Sequence, residues 1–226
     1  MNKQILVFAP HPDDETLGCG GTIAKRISEG YKVLIVVMTD GRNSLFKDLG
    51  IASDPTPEEV KEIRRDEVKR ATRILGVGFE DSLFLDFIDG SLEKYENEAQ
   101  EKVLEIIREN HPLEVYFPCK KDCHPDHRAT NRIVNNAIMK LNMPTAKCRY
   151  MIANKYARIG PFIDAFLDLI RRGVVYVDVS RFLSLKEAAV NEFKSELSII
   201  SSRQSRPRTK SFKRFLRKRE KFYTDK

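Results

Sequence analysis

The chain has 226 residues and a mass of 26.1 kDa, with 41% hydrophobic and 32% charged residues, a balance that suits one soluble domain and excludes general disorder. The net charge of +7 is uneven: residues 203–221 hold ten lysines and arginines against Glu220, leaving the rest of the chain at −2. The pI of 9.2 therefore describes a basic segment and implies no obligate nucleic-acid partner.

The pattern alternates between strand and helix. Residues 4–9 form a continuous apolar run of the kind buried on both faces of a sheet. A helix is expected from 14 to 29, ending at Gly30, and a second buried strand at 33–38. Residues 42–57 read as a polar loop. Residues 58–75 carry Val60, Ile63, Val68, Ala71, Ile74 and Leu75 between charges, an amphipathic helix closed by Gly76. Further strands are expected at 82–87, 115–117, 149–153 and 174–179, and helices at 92–108, 128–141 and 182–197. Strands and helices in this order imply right-handed crossovers and an α/β, Rossmann-like three-layer sandwich with a mostly parallel central sheet. No apolar run approaches the roughly 20 residues of a membrane span. A secretory leader is not expected, and the cysteines (Cys19, Cys119, Cys123, Cys148) are too sparse for a disulfide framework. Reduced thiols and a cytoplasmic location follow as expectations.

Ligands of open α/β sheets gather at the carboxyl ends of strands. Two polar clusters fall there. The first strand runs into His11-Pro12-Asp13-Asp14-Glu15, and the strand near residue 116 runs into Asp122-Cys123-His124-Pro125-Asp126-His127. Three of the four histidines of the chain are in these clusters. Two imidazoles and one carboxylate on a divalent ion leave positions open for water and substrate, the build of a catalytic zinc site. A further carboxylate can accept a proton from water, and a further histidine can stabilise an oxyanion or protonate a leaving group. Either cluster alone could be a turn with a capped helix; together, each closing a strand, they point to a site. His111, alone before Pro112 at a helix end, reads as structural.

These residues carry a resemblance. Ala9-Pro10-His11-Pro12-Asp13-Asp14-Glu15, the following Leu17-Gly18-Cys19-Gly20-Gly21-Thr22-Ile23-Ala24, and His124-Pro125-Asp126-His127 resemble the two signature motifs of the LmbE/PIG-L family of zinc-dependent N-acetylglucosaminyl de-N-acetylases. Arg64-Arg65-Asp66-Glu67 and Val177-Asp178-Val179-Ser180 with Lys186 also match, over roughly the first 200 residues. The resemblance implies that His11, Asp14 and His127 bind Zn2+, with Fe2+ an alternative on the same donors. It implies Asp13 as general base, His124 as general acid or oxyanion stabiliser, and Asp126 orienting His124 by a hydrogen bond. Arg64 would contact the sugar of an N-acetylated amino sugar conjugate. Asp40 is a candidate for a sugar hydroxyl or, equally, a plain turn residue. The implied activity is a zinc-dependent N-deacetylase, and its domain occupies 1–200.

Residues 201–226 match no family pattern and form a separate basic tail, expected to be helical because Phe212, Phe215, Leu216, Phe222 and Tyr223 fall roughly on one stripe. The stripe would pack the helix; its basic face could meet an anionic surface or a phosphate-bearing partner. The competing function is thus a metal-containing carbohydrate- or phosphate-binding protein that uses this tail. An oligomer is compatible with the sequence. A dinucleotide site is rejected, because Gly18 and Gly20 lie inside the expected helix and Ile23 replaces the third glycine. Non-haem iron oxygenases use a similar triad but belong on all-β scaffolds. A closed Cys119/Cys123/His124/His127 zinc site would have to wrap one ion within nine positions, and thiols of core or loop account for those cysteines better.

Overall fold

The computed structural model describes residues 3–153, 173–209 and 211–225. Lys210 of the basic segment lies outside them. Strands β1 (Gln4–Ala9), β2 (Lys32–Thr39), β3 (Ser82–Phe87), β4 (Glu114–Pro118), β5 (Ala146–Tyr150), β6 (Val174–Asp178) and β7 (Arg219–Thr224) form one sheet in the order β3-β2-β1-β4-β5-β7-β6. β1 pairs in parallel with both β2 and β4, β2 with β3, and β4 with β5. Among the described residues, only β7 runs antiparallel, between β5 and β6. The expected Rossmann-like, mostly parallel sheet is present.

Alternation along β1 and β2 divides the core in two. Ile5, Val7, Ala9, Ile35 and Val37 face helices α1 (Asp14–Ser28) and α3 (Pro57–Ile74) together with α6 (Leu183–Val190). Leu6, Phe8, Leu34, Val36 and Met38 face α4 (Glu96–Asn110) and α5 (Pro125–Leu141). This is why the central strands read as unbroken apolar runs: both faces are covered. α3 begins where its sequence signals a start, with Thr56 and Glu59 forming a reciprocal capping box and Pro57 in the first turn. His111 closes α4 in the left-handed conformation, a structural role. Among the described residues, no helix is long and apolar enough to cross a membrane.

α1 passes unusually close to its neighbours. A Cβ on Gly18 would stand 2.6 Å from the Tyr150 ring, and one on Gly21 would stand 2.7 Å from Val179. Glycine here serves helix–sheet packing, not a phosphate.

Four expectations need correction. The polar loop after β2 contains a short helix, α2 (Ser44–Leu49). The helix expected at 92–108 opens as a 3₁₀ turn, Leu92–Tyr95, before α4. The helix expected at 182–197 breaks after Val190, and Phe193 turns into the core before a single turn, α7 (Lys194–Leu197). The basic segment is not a helix either. Residues 213–215 make one 3₁₀ turn, and 219–224 are strand β7, with Glu220 and Phe222 buried on one face. Period-two burial and the β-favouring Phe-Tyr-Thr run outweigh the helical stripe.

Candidate active site

In the strand order 3-2-1-4-5 the direction of winding reverses between β1 and β4, so the crevice lies beyond their carboxyl ends. Both polar clusters are there. His11 follows β1 and Asp14 opens α1. His124 caps α5, which starts three residues earlier than expected because Pro125 suits the first helical position.

Three donor atoms converge. His11 Nδ1 is 3.2 Å from Asp14 Oδ2 and 3.2 Å from His127 Nε2, and His127 Nε2 is 3.1 Å from Asp14 Oδ2. Ligands on a tetrahedral zinc ion are separated by roughly 3.3 Å. The three donors therefore form one face of a tetrahedron of metal size, and the residues fit a divalent ion. The two outer nitrogens face carboxylates, His11 Nε2 with a hydrogen bond and His127 Nδ1 by proximity alone. His11 Nε2 lies 3.1 Å from Asp126 Oδ2 and 3.5 Å from Asp89 Oδ1, and His127 Nδ1 lies 3.2 Å from Asp122 Oδ1. Such partners fix the ring orientation of metal-type histidines.

This arrangement corrects the expected part of Asp126. Its carboxylate meets His11 and accepts from the backbone N–H groups of Gly90 and Leu92; only its own N–H meets His124, donating to Nδ1 at 3.3 Å. His124 stands edge-on to His11, with ring centroids 4.6 Å apart. Burial and the positive charges of His11 and His127 push its pKa down to about 4. It is therefore neutral at pH 7, and because Nδ1 accepts, its proton belongs on Nε2.

Burial disfavours charge on His11, but the Asp126 and Asp14 carboxylates outweigh it and raise the pKa to about 10. His127 rises to about 9 in the same way, with Asp14 and Asp122 prevailing over burial. Against burial, the two histidines hold Asp14 well below the usual carboxylate range. Without an ion, the pair is thus occupied by protons. Ion uptake must expel them, so affinity should fall as pH drops below 9, with release of up to about two protons per ion. Calorimetric titration in buffers of different ionisation enthalpy measures that number; zero protons released would exclude these two nitrogens.

Asp13 sits beside the triad with φ 129° and ψ −27°, a strained conformation for any residue but glycine. The contacts around it are dense. Glu15 accepts from the Asp13 N–H at 3.2 Å, and Arg64 reaches Asp13 Oδ2 at 3.2 Å and also donates to the Pro12 carbonyl. Burial raises the pKa of Asp13, and Arg64 pulls against it. Arg64 is only 2% exposed, and its other terminal nitrogen meets Glu196 at 2.5 Å. These protein partners take both terminal nitrogens of Arg64, while its Nε is buried without a hydrogen-bond partner among the described residues. Asp40 is engaged likewise: its carboxylate is wholly buried, receiving Arg42 Nε at 2.6 Å and the Asp89 N–H at 3.3 Å. It is the turn residue of the two alternatives.

Sequence reasoning assigned no role to Asp89, Asp122, Glu67 or Glu196. Asp122 was visible inside the second cluster. Asp89 follows β3 at the same end of the sheet, but nothing local distinguishes it from a turn.

Together these features define a Rossmann-like α/β protein with an open two-histidine, one-carboxylate centre at its switch point. Residues 6–138 match the PIG-L family, described as GlcNAc-PI de-N-acetylase, and the chain belongs to that family. It is 28% identical over 198 residues to diacetylchitobiose deacetylase of Thermococcus kodakarensis, covering 86% of this chain and 70% of that protein. It is 31% identical over 144 residues to a probable N-acetyl-alpha-D-glucosaminyl L-malate deacetylase 2 of Bacillus cereus, covering 62% of this chain and 63% of that protein. Among solved structures, N,N'-diacetylchitobiose deacetylase from Pyrococcus horikoshii superposes with a TM-score of 0.72 at 22% identity, over 99% of this chain and 84% of that one. That last likeness is one of fold.

Proposed function

We propose that the protein removes the acetyl group from an N-acetylglucosamine-type amino sugar conjugate, using a divalent ion, zinc, held by His11, Asp14 and His127. The observation that carries this reading is the triangle of donors 3.1–3.2 Å apart; Asp13 adjoins Asp14 in the chain, and its carboxylate meets Arg64. The relatives named above are deacetylases of N-acetylated sugars, and family membership favours this reading over a binding protein that uses the basic segment.

When bound, the ion supplies a Lewis acid for the amide carbonyl and acidifies water. The chain's residues do the rest. Asp13 takes a proton from the attacking water, a task suited to a buried carboxylate with a raised pKa. His124, whose Nδ1 accepts from the Asp126 N–H and so leaves Nε2 to carry the proton, donates to the developing oxyanion. Asp126 bonds the ring of His11, and Asp122 stands beside that of His127. Arg64 holds Asp13 in place through its terminal nitrogen.

The test couples metal content to amine release. The purified protein should contain about one equivalent of divalent metal and release primary amine from N,N'-diacetylchitobiose. Chelation should stop release and zinc should restore it. His127→Ala should lose both metal and activity. Amine release that persists in the metal-free protein would overturn the proposal.

A further inference from the structure

The break after Val190 places α7 against the face of α3 that carries Arg64 and Glu67, residues one helical turn apart. Both are buried, and both reach the same short turn. Glu67 accepts from the Ser195 N–H at 2.7 Å and from the Ser195 hydroxyl at 2.6 Å. With Ser195 fixed, the next side chain, Glu196, meets Arg64 Nη1 at 2.5 Å; Glu196 is 4% exposed. The same Glu196 oxygen receives Arg208, whose Nε donates to Asp48 of α2 at 2.5 Å. The Glu196 carbonyl accepts from the Thr209 N–H at 2.8 Å.

The charges are ordered. Asp13, Arg64, Glu196 and Arg208 alternate in sign from the site outward. Arg64 donates to three groups at once: Glu196, the Pro12 carbonyl and Asp13. Gly41 closes the space above it, since a Cβ there would stand 2.9 Å from Arg64 Nε. The guanidinium cannot shift without moving the backbone at Pro12 and the Asp13 carboxylate.

We infer that Glu196 is a positioning residue for the reaction: it anchors Arg64, which in turn sets the Asp13 carboxylate and the strained turn beneath it. The inference rests on Asp13 being the base. It also gives a physical role to Arg64-Arg65-Asp66-Glu67, whose first and last members bind one turn that lies about 130 residues later in the chain.

Glu196→Gln keeps the shape and removes the charge between two arginines. Metal content should be unchanged, KM for N,N'-diacetylchitobiose should stay within about threefold, and kcat should fall about 10- to 100-fold, the effect of misplacing a reacting group by about 1 Å. In an Asp13→Asn background the same change should cost no further kcat, because the group being positioned is already lost. Equal losses in both backgrounds, or a change confined to KM, would overturn the proposal. Arg208→Gln, which removes the outer partner, should act in the same direction with a smaller loss if Glu196→Gln folds poorly. A crystal structure of Glu196→Gln reads the link without reference to activity. Arg64 displaced from Asp13 supports it, and an unmoved Arg64–Asp13 pair sinks it. Should Asp13→Asn alone retain full kcat, the assignment of the base fails, and this structural readout still decides the positioning role.

Discussion

Replacing Asp13 by asparagine should lower kcat by about 10²- to 10⁴-fold, the usual contribution of a general base, while metal content and unfolding midpoint stay close to the parent. The substitution is selective for physical reasons. Asparagine has the same size, tolerates positive φ better than most residues, and can still accept from Arg64 through its amide oxygen. It cannot take up a proton. Asp14, one residue on, is the proposed metal donor, so the triangle of donors is untouched. Steady-state kinetics with metal analysis on the same preparation decides the matter. Near-parental turnover at full occupancy would move the base elsewhere, and Glu15 would be the next candidate, since burial raises it to about 7 against its hydrogen bonds from Thr16 and backbone N–H groups.

A second large effect should appear far from the triad. Lys186 is buried and donates to Glu220 Oε1 at 2.6 Å and to the Leu17 carbonyl at 2.8 Å. Glu220, on β7, also accepts from the Gly21 and Thr22 N–H groups at 2.9 and 2.7 Å. An ion pair from two other elements thus enters the backbone of the helix that Asp14 opens. Lys186→Met should destabilise the protein by about 3–5 kcal/mol, because it leaves the Glu220 charge buried without its counter-ion. Urea unfolding measures this directly. Adding Glu220→Gln should recover part of the loss, since the neutral amide keeps an acceptor for one N–H and carries no charge. A loss below about 1 kcal/mol in the single variant would show that water reaches the Glu220 carboxylate.

The parts of the molecule legible in the sequence are those whose signals are local. β1 falls at the expected residues because its apolar run is buried on both faces of the sheet, and the edge strand β3 falls at its expected residues too. That the two histidine-bearing clusters meet was legible because each follows a strand of a parallel sheet, so chain order places both at the carboxyl ends; which of their residues would hold an ion was implied by the resemblance alone. Contacts between distant segments were not legible. Asp126 has His11 and His124 both within reach, and only the three-dimensional arrangement assigns its carboxylate to His11. Arg64 was given a sugar contact by the resemblance, and nothing near it in sequence announces Glu196 as a partner. The segment 212–223 misled because aromatic residues at helical spacing also fit a 3₁₀ turn followed by a strand, and the choice depended on a place left between β5 and β6.

The seat of β7 bears on the order of assembly. Gly21 and Glu220 are 199 residues apart, so the carboxylate that grips the middle of α1 leaves the ribosome long after that helix does. Domains that close through such distant pairings fold slowly, since the loop must be ordered before the contact stabilises it. During synthesis the sheet from β1 to β5 can gather around its own apolar faces, while α1 stays without its clasp. The clasp on α1 closes only once residues 219–224 have been made and β7 pairs beside β5.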